Sequence, residues 1–226
     1  MTTVKMAIPR DFILGAAASA WQTEGWSGKQ EGQDSWPDLW YKNDRHVWHN
    51  GYGPAVATDF INRFREDVQL MKLAGLTHYR TSINWSRFLT DYENVTVDEA
   101  YATYYDQLFD ELLANGIEPM ICLEHYELPG YLLEQYGGWA SKKVVALFTQ
   151  YAEKVFARYH RKVTRWFTFN EPIVVQTRVY LDALRWPYEQ NTGIWMQWNH
   201  HKVLATAKVV QLFREKGYRG TVGCIL

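Results

Sequence analysis

Five short apolar runs alternate with four long amphipathic stretches along this chain, and that order constrains the fold more than any other feature. The runs are "FILGAAASA" (12–20), "LTHYRTSINW" (76–85), "IEPMICLEH" (117–125), "VTRWFTFNEP" (163–172) and "RGTVGCIL" (219–226). Each has strand length and lies between turn residues. Between them Phe60, Phe64, Val68 and Met71 recur at helical spacing, and Gly75 follows as a stop. "TVDE" reads as a capping box with Thr96 as N-cap and Glu99 three residues on. It opens a second helix, with a stripe from Tyr101 to Leu113, that Asn115-Gly116 ends. Ser141 opens a third helix, and a fourth runs over 195–216 to Gly217. Residues 21–55 show no sustained period and read as a long irregular loop, a kind of segment that is usually functional.

Strand and helix in strict alternation mean parallel strands joined by right-handed crossovers. Two architectures satisfy this, a doubly wound sheet and an eight-stranded barrel. A doubly wound nucleotide binder needs a glycine-rich turn after its first strand, and "SAWQTEGWSG" holds no G-x-G-x-x-G. Polar residues instead stand at the carboxyl ends of successive runs: Gln22 and Glu24, Arg80 and Asn84, His125, Asn170 and Glu171. Barrel enzymes build their sites this way. The expectation is an α/β fold of TIM (β/α)8-barrel type, with five strands and four helices in this chain.

The formal charge of −1 includes no polybasic tract, so neither nucleic acid nor an anionic membrane is an expected partner. The opening "MTTVKMAIPRDF" lacks the apolar core of a signal peptide, and no apolar run reaches the length of a membrane span. Cys122 and Cys224 sit in apolar stretches and read as reduced core thiols. A cytoplasmic location fits these features. The 11 tryptophans and 15 tyrosines fill a core, and some of them suit stacking on sugar faces.

In "WFTFNEP" a greasy strand stops at an amide, a carboxylate and a proline. A carboxyl group against apolar walls has its charged form disfavoured, which suits a general acid near neutral pH. Glu171 is therefore either such an acid or half of a strand-end pair capping the next segment. Side chains alternate along a strand, so Asn170 and Glu171 face the same way only if a bulge or loop begins there. Gln22 and Glu24, two apart on an extended strand, share a face without help. His125 reads as a site residue or as a satisfied structural histidine. Glu124-His125 and His200-His201 contain metal-ligand types, but adjacent residues do not share a face, and no H-x-x-x-H or C-x-x-C occurs.

Taken together, the strand-end motifs resemble the family 1 glycoside hydrolases, the β-glucosidases and 6-phospho-β-glycosidases. "FILGAAASAWQTEG", "YRTSINWSRF", "LEHYELP" followed by "GGW", and "FTFNEP" stand in the family's order along the whole chain. The resemblance implies Glu171 as acid/base, Arg80 beside the reacting carboxylates, and Gln22, His125 and Asn170 as sugar-binding residues. It implies no cofactor and no metal, and a small-molecule β-glucoside or phosphorylated disaccharide as substrate. Tyr126 stands where the family usually has Trp, Glu127 where it has Asp, and Thr206 where it often has His. Members are about twice as long, with eight strands. On this resemblance residues 1–226 are the N-terminal portion of one barrel domain, and the nucleophile belongs to an E-N-G motif that this sequence does not contain. Three further expectations follow: a truncated fragment with at most weak sugar binding as the alternative, a metal-assisted barrel hydrolase as runner-up, and self-association through open sheet edges.

Overall fold

A computed structural model describes Pro9 and residues 12–226. The expectation that the opening segment is no signal peptide falls mostly outside the described residues. Five strands form one sheet: β1 (Gly15–Ala17), β2 (His78–Ser82), β3 (Glu118–Glu124), β4 (Arg165–Asn170) and β5 (Thr221–Ile225). They are hydrogen-bonded in that order, each parallel to the next. A doubly wound sheet reverses its strand order at a switch point. Here spatial order follows chain order throughout, so the sheet is an unclosed segment of a TIM (β/α)8-type barrel.

Four long helices return the chain from strand to strand: α1 (Phe60–Leu73), α2 (Glu99–Ala114), α3 (Lys142–Tyr159) and α4 (Thr192–Glu215). Each buries the stripe its sequence offers. Phe60, Phe64 and Val68 of α1 face the sheet, as do Tyr105, Leu108 and Leu112 of α2. Helix α3 starts where Ser141 accepts from the Lys143 N–H (3.1 Å). Gly75 and Gly217 take the left-handed conformations that end α1 and α4. An aromatic layer of Trp85, Trp139, Phe148, Tyr151 and Phe169 fills the space between the strands and α3.

Four sequence expectations change. Thr96 does not cap α2, because it pairs with Asp91 in a small antiparallel hairpin. The N-cap is Asp98, whose carboxylate accepts from the Tyr101 N–H (3.1 Å). The loop 21–55 contains a helix at Trp36–Asn43, started by a capping box of Ser35 and Asp38 with Pro37 in its first turn. The first run yields only three strand residues and then a helical turn, Ala20–Thr23. Gln22 and Glu24 therefore do not share a strand face: Gln22 is exposed, while Glu24 is buried under the loop, accepting from the hydroxyls of Tyr101 and Tyr105. Cys122 is a buried thiol pushed up to about 12 by burial, but Cys224 is exposed, because β5 is the edge strand and nothing among the described residues covers it. No helix among the described residues is long and apolar enough to cross a membrane.

Candidate active site

The ends of β1, β3 and β4 and two loops enclose a cavity of about 390 Å³. Gln22, His125, Asn170 and Glu171 all line it, together with Tyr126. Two irregularities of the backbone bring them there. Along β4, Trp166 packs on Phe156 of α3 and Thr168 meets Thr206 of α4 (3.0 Å), so both point to the helix layer. Phe169, only one residue further, also points to that layer, against Phe148 and Trp139. The β4–β5 register shifts at this point, between Phe167 and Asn170. The slip turns Asn170 toward the cavity. Glu171 then takes a left-handed conformation, φ 44°, and joins it. Tyr126 does the same after β3 at φ 76°, so His125 and Tyr126 line the cavity side by side. Left-handed backbone at a non-glycine residue costs about 1–3 kcal/mol.

A continuous set of hydrogen bonds ties these side chains together. Arg80 Nη2 donates to Asn170 Oδ1 (2.7 Å), Asn170 Nδ2 donates to the Tyr126 hydroxyl (3.3 Å), and that hydroxyl donates to Glu171 Oε2. Arg80 thus reaches Glu171 through Asn170 and Tyr126 rather than by direct contact. Beneath them, the buried Glu127 accepts from the His125 N–H and from Ser82 Oγ (both 2.5 Å), while Ser82 Oγ accepts from the Ala20 N–H (2.8 Å). One carboxyl group therefore fixes the ends of β1, β2 and β3 relative to one another. Ser19 Oγ holds Gln22 by its amide oxygen (2.7 Å).

Electrostatics follow burial. His125 is 7% exposed, and burial, with the Arg80 guanidinium adding to it, pushes its imidazole down to about 3. Its Nδ1 is buried and has no partner among the described residues, and neither has Arg80 Nε. Burial also pushes Glu127 well above the ordinary carboxyl range. The Tyr126 hydroxyl is raised by burial and by its bond to the Glu171 carboxylate. Glu171 itself is exposed, which corrects the expectation of apolar walls around it. The aromatic floor of β4 lies on the helix side of the strand, and the bulge carries Glu171 away from it. Among the described residues no group of three or more His, Cys, Asp and Glu side chains stands ready for a metal ion.

Sequence reasoning missed part of the cavity. Trp36, Trp40 and Arg185 also line it. The "SWPDLW" stretch carried a findable signal, a serine N-cap with proline in the first turn and two tryptophans four apart. Tyr126 was visible only as a departure from a motif, and its bond to Glu171 depends on a backbone conformation that no local pattern announced.

The model of Glycosyl hydrolase family 1 matches residues 4–226. Among curated proteins, the chain is similar to 6-phospho-beta-glucosidase GmuD of Bacillus subtilis (strain 168), 36% identical over 99% of this chain and 48% of that protein. It is also similar to beta-glucosidase 42 of Arabidopsis thaliana, at 33% identity over 95% of this chain and 44% of that one. Among solved structures, a beta-glucosidase from Thermotoga maritima in complex with azafagomine superposes with a TM-score of 0.88 at 29% identity, covering 96% of this chain and 49% of the other. The chain spans about half the length of the relatives it matches.

Proposed function

Because this chain belongs to glycosyl hydrolase family 1, we propose that it is the acid/base-bearing portion of a retaining β-glycosidase that acts on β-glucosides, 6-phospho-β-glucosides in particular. Residues 1–226 form one part of a single barrel domain in this reading, the protein works in the cytoplasm, and no cofactor is required. The observation that carries it is the meeting of Gln22, His125, Asn170 and Glu171 in one cavity from three separate strand ends. The phosphorylated substrate class rests on the name of the Bacillus subtilis relative.

Glu171 protonates the leaving oxygen while a second carboxylate, outside these residues, attacks the anomeric carbon. It then takes a proton from the water that releases the sugar. Such pairs stand about 5–5.5 Å apart in retaining enzymes. Asn170, fixed by Arg80 at one end and Tyr126 at the other, bonds a sugar hydroxyl. His125 is neutral, so its unpartnered Nδ1 is free to bond another hydroxyl, and Gln22 offers its amide nitrogen. Tyr126 orients the Glu171 carboxyl group by donating to Oε2. The second reading is a fragment that binds sugar weakly and does not turn over. The observation favouring it is length, since residues that act as a unit lose nearly everything when one is missing.

Leaving-group dependence tests the role of Glu171. In a longer chain that continues through three more strand–helix units, Glu171→Gln should slow hydrolysis of glucosides with poor leaving groups by roughly 10²- to 10⁴-fold. The glycosylation step with 2,4-dinitrophenyl β-glucoside, whose leaving group needs no proton, should change far less. Equal, small losses on both substrates would show that Glu171 is not the acid.

A further inference from the structure

We propose that Arg185 makes the leaving-group side of this site selective for aryl β-glucosides whose aglycone carries a negative charge. The proposal rests on the β-glycosidase reading above. Arg185 lines the same cavity as Glu171, Asn170 and His125. Its guanidinium lies 5.4 Å from the centroid of the Trp40 ring, and among the described residues its side chain forms no ion pair and no hydrogen bond. An arginine so placed is a planar donor fork with no bonded partner of its own among the described residues.

The backbone that carries Arg185 is held in place. The Leu184 and Arg185 N–H groups both donate to the Arg178 carbonyl (2.8 and 3.1 Å), and the Tyr188 N–H donates to the Arg185 carbonyl (2.8 Å). From the other side, Trp36 Nε1 donates to the Trp186 carbonyl (3.1 Å) and Trp40 Nε1 to the Tyr188 hydroxyl (3.3 Å), which in turn donates to the Asp44 carboxylate. The segment after β4 is thus clasped to the helix at Trp36–Asn43, and Arg185 stands at the clasp.

The cavity therefore has two chemistries. Gln22, His125 and Asn170 present amides and an imidazole, which fit the hydroxyls of a sugar ring. Trp40, with the buried Trp36 packed behind it, and Arg185 present an indole and a guanidinium, which fit a flat ring bearing a carboxylate or similar anion: the indole stacks, and the fork pairs with the charge. The oxygen that Glu171 protonates has the sugar on one side and the aglycone on the other. The first set of groups matches the sugar and the second matches the aglycone.

Tryptophan fluorescence reads this directly, since Trp40 is part of the wall. The 226-residue chain is titrated at low salt with phenyl β-glucoside, 4-carboxyphenyl β-glucoside, phenyl 6-phospho-β-glucoside and 4-hydroxybenzoate. The carboxylate should tighten binding over phenyl β-glucoside by roughly five- to twentyfold. In Arg185→Met that ratio should fall to about one, and in Arg185→Lys, which keeps the charge but not the fork, to an intermediate value. Equal affinity for the two glucosides in the wild type, or a ratio that survives Arg185→Met, overturns the proposal. So does an Arg185-dependent gain from the 6-phosphate in place of the carboxylate, which would put the anion on the sugar. If phenyl β-glucoside does not bind at all, the sugar-site reading fails. Arg185-dependent binding of 4-hydroxybenzoate would then still support the anion site, and its absence would overturn that too.

Discussion

Tyr126 and Glu171 carry the geometry of the site in their backbone as much as in their side chains. Glu171 sits one residue past its strand and Tyr126 two residues past its own, both in left-handed φ, and each thereby adds a second functional group to a strand end that alternation would limit to one. His125, the neighbour of the first, offers a test through pH. Its folded value of about 3 lies below the ordinary imidazole value of about 6.5. Between those values the unfolded chain binds the proton and the folded chain does not, so the contribution of His125 to stability falls as pH drops through that window. Glu24, Glu124 and Glu127, raised chiefly by burial, act with the opposite sign: the folded chain takes up their protons first as pH falls. Substitution isolates the imidazole. Going from about pH 7 to pH 5 should cost the wild type on the order of 1–2 kcal/mol more than it costs His125→Gln, measured by urea unfolding. A loss as large in the variant would mean that His125 is charged in the fold. At this scale the sequence was legible where a polar residue ended an apolar run, as at Asn170 and Glu171. It was silent on Arg185, because nothing in "DALRWP" announces that a clasp to Trp36 and Trp40 will turn the guanidinium inward.

The helices were the most legible elements, because their apolar spacing is a direct image of the face they bury. Phe60, Phe64 and Val68 told both the period and the side. The starts were less certain, since capping residues compete. "TVDE" reads as a box capped by Thr96, but the hairpin pairing of Thr96 with Asp91 leaves the cap to Asp98, two residues on. Substitution separates the two. Asp98→Ala should cost about 1 kcal/mol for the cap alone. The loss should be larger in practice, because Asp98 Oδ2 also accepts from the side-chain amides of Gln30 (2.7 Å) and Gln33 (3.0 Å). Thr96→Ala, at an exposed hairpin position, should stay within about 0.5 kcal/mol of wild type. Chemical denaturation of both variants checks this, and a larger loss for Thr96→Ala would restore it as the cap. The bulge in β4 was foreseen only as a necessity. The sequence required some irregularity before Glu171, while its place at Phe169 comes from the fit of that ring between Trp139 and Phe148.

At the scale of the molecule, the order of strands was readable from the alternation of elements, and the open sheet follows from it. β1 and β5 are edges, and apolar side chains beside them are uncovered: Phe12 is 57% exposed, Ile173 57% and Leu226 94%. A parallel sheet is ordinarily covered on both faces. An unsatisfied polar group costs roughly 1–3 kcal/mol, against a typical domain stability of about 5–15 kcal/mol. The 226-residue chain should accordingly self-associate or melt at low temperature, as read by size-exclusion chromatography with light scattering and by thermal unfolding. A clean monomer with a cooperative melt above about 60 °C would contradict that. The claim that Glu171 is one half of a two-carboxylate machine is tested most directly by hydrolysis of 4-nitrophenyl β-glucoside and its 6-phosphate. The 226-residue chain is assayed beside the longer chain that continues through three more strand–helix units. The account predicts turnover by the longer chain, and turnover by the 226-residue chain no greater than that of its own Glu171→Gln variant. Hydrolysis by the 226-residue chain at the rate of the longer one would contradict it.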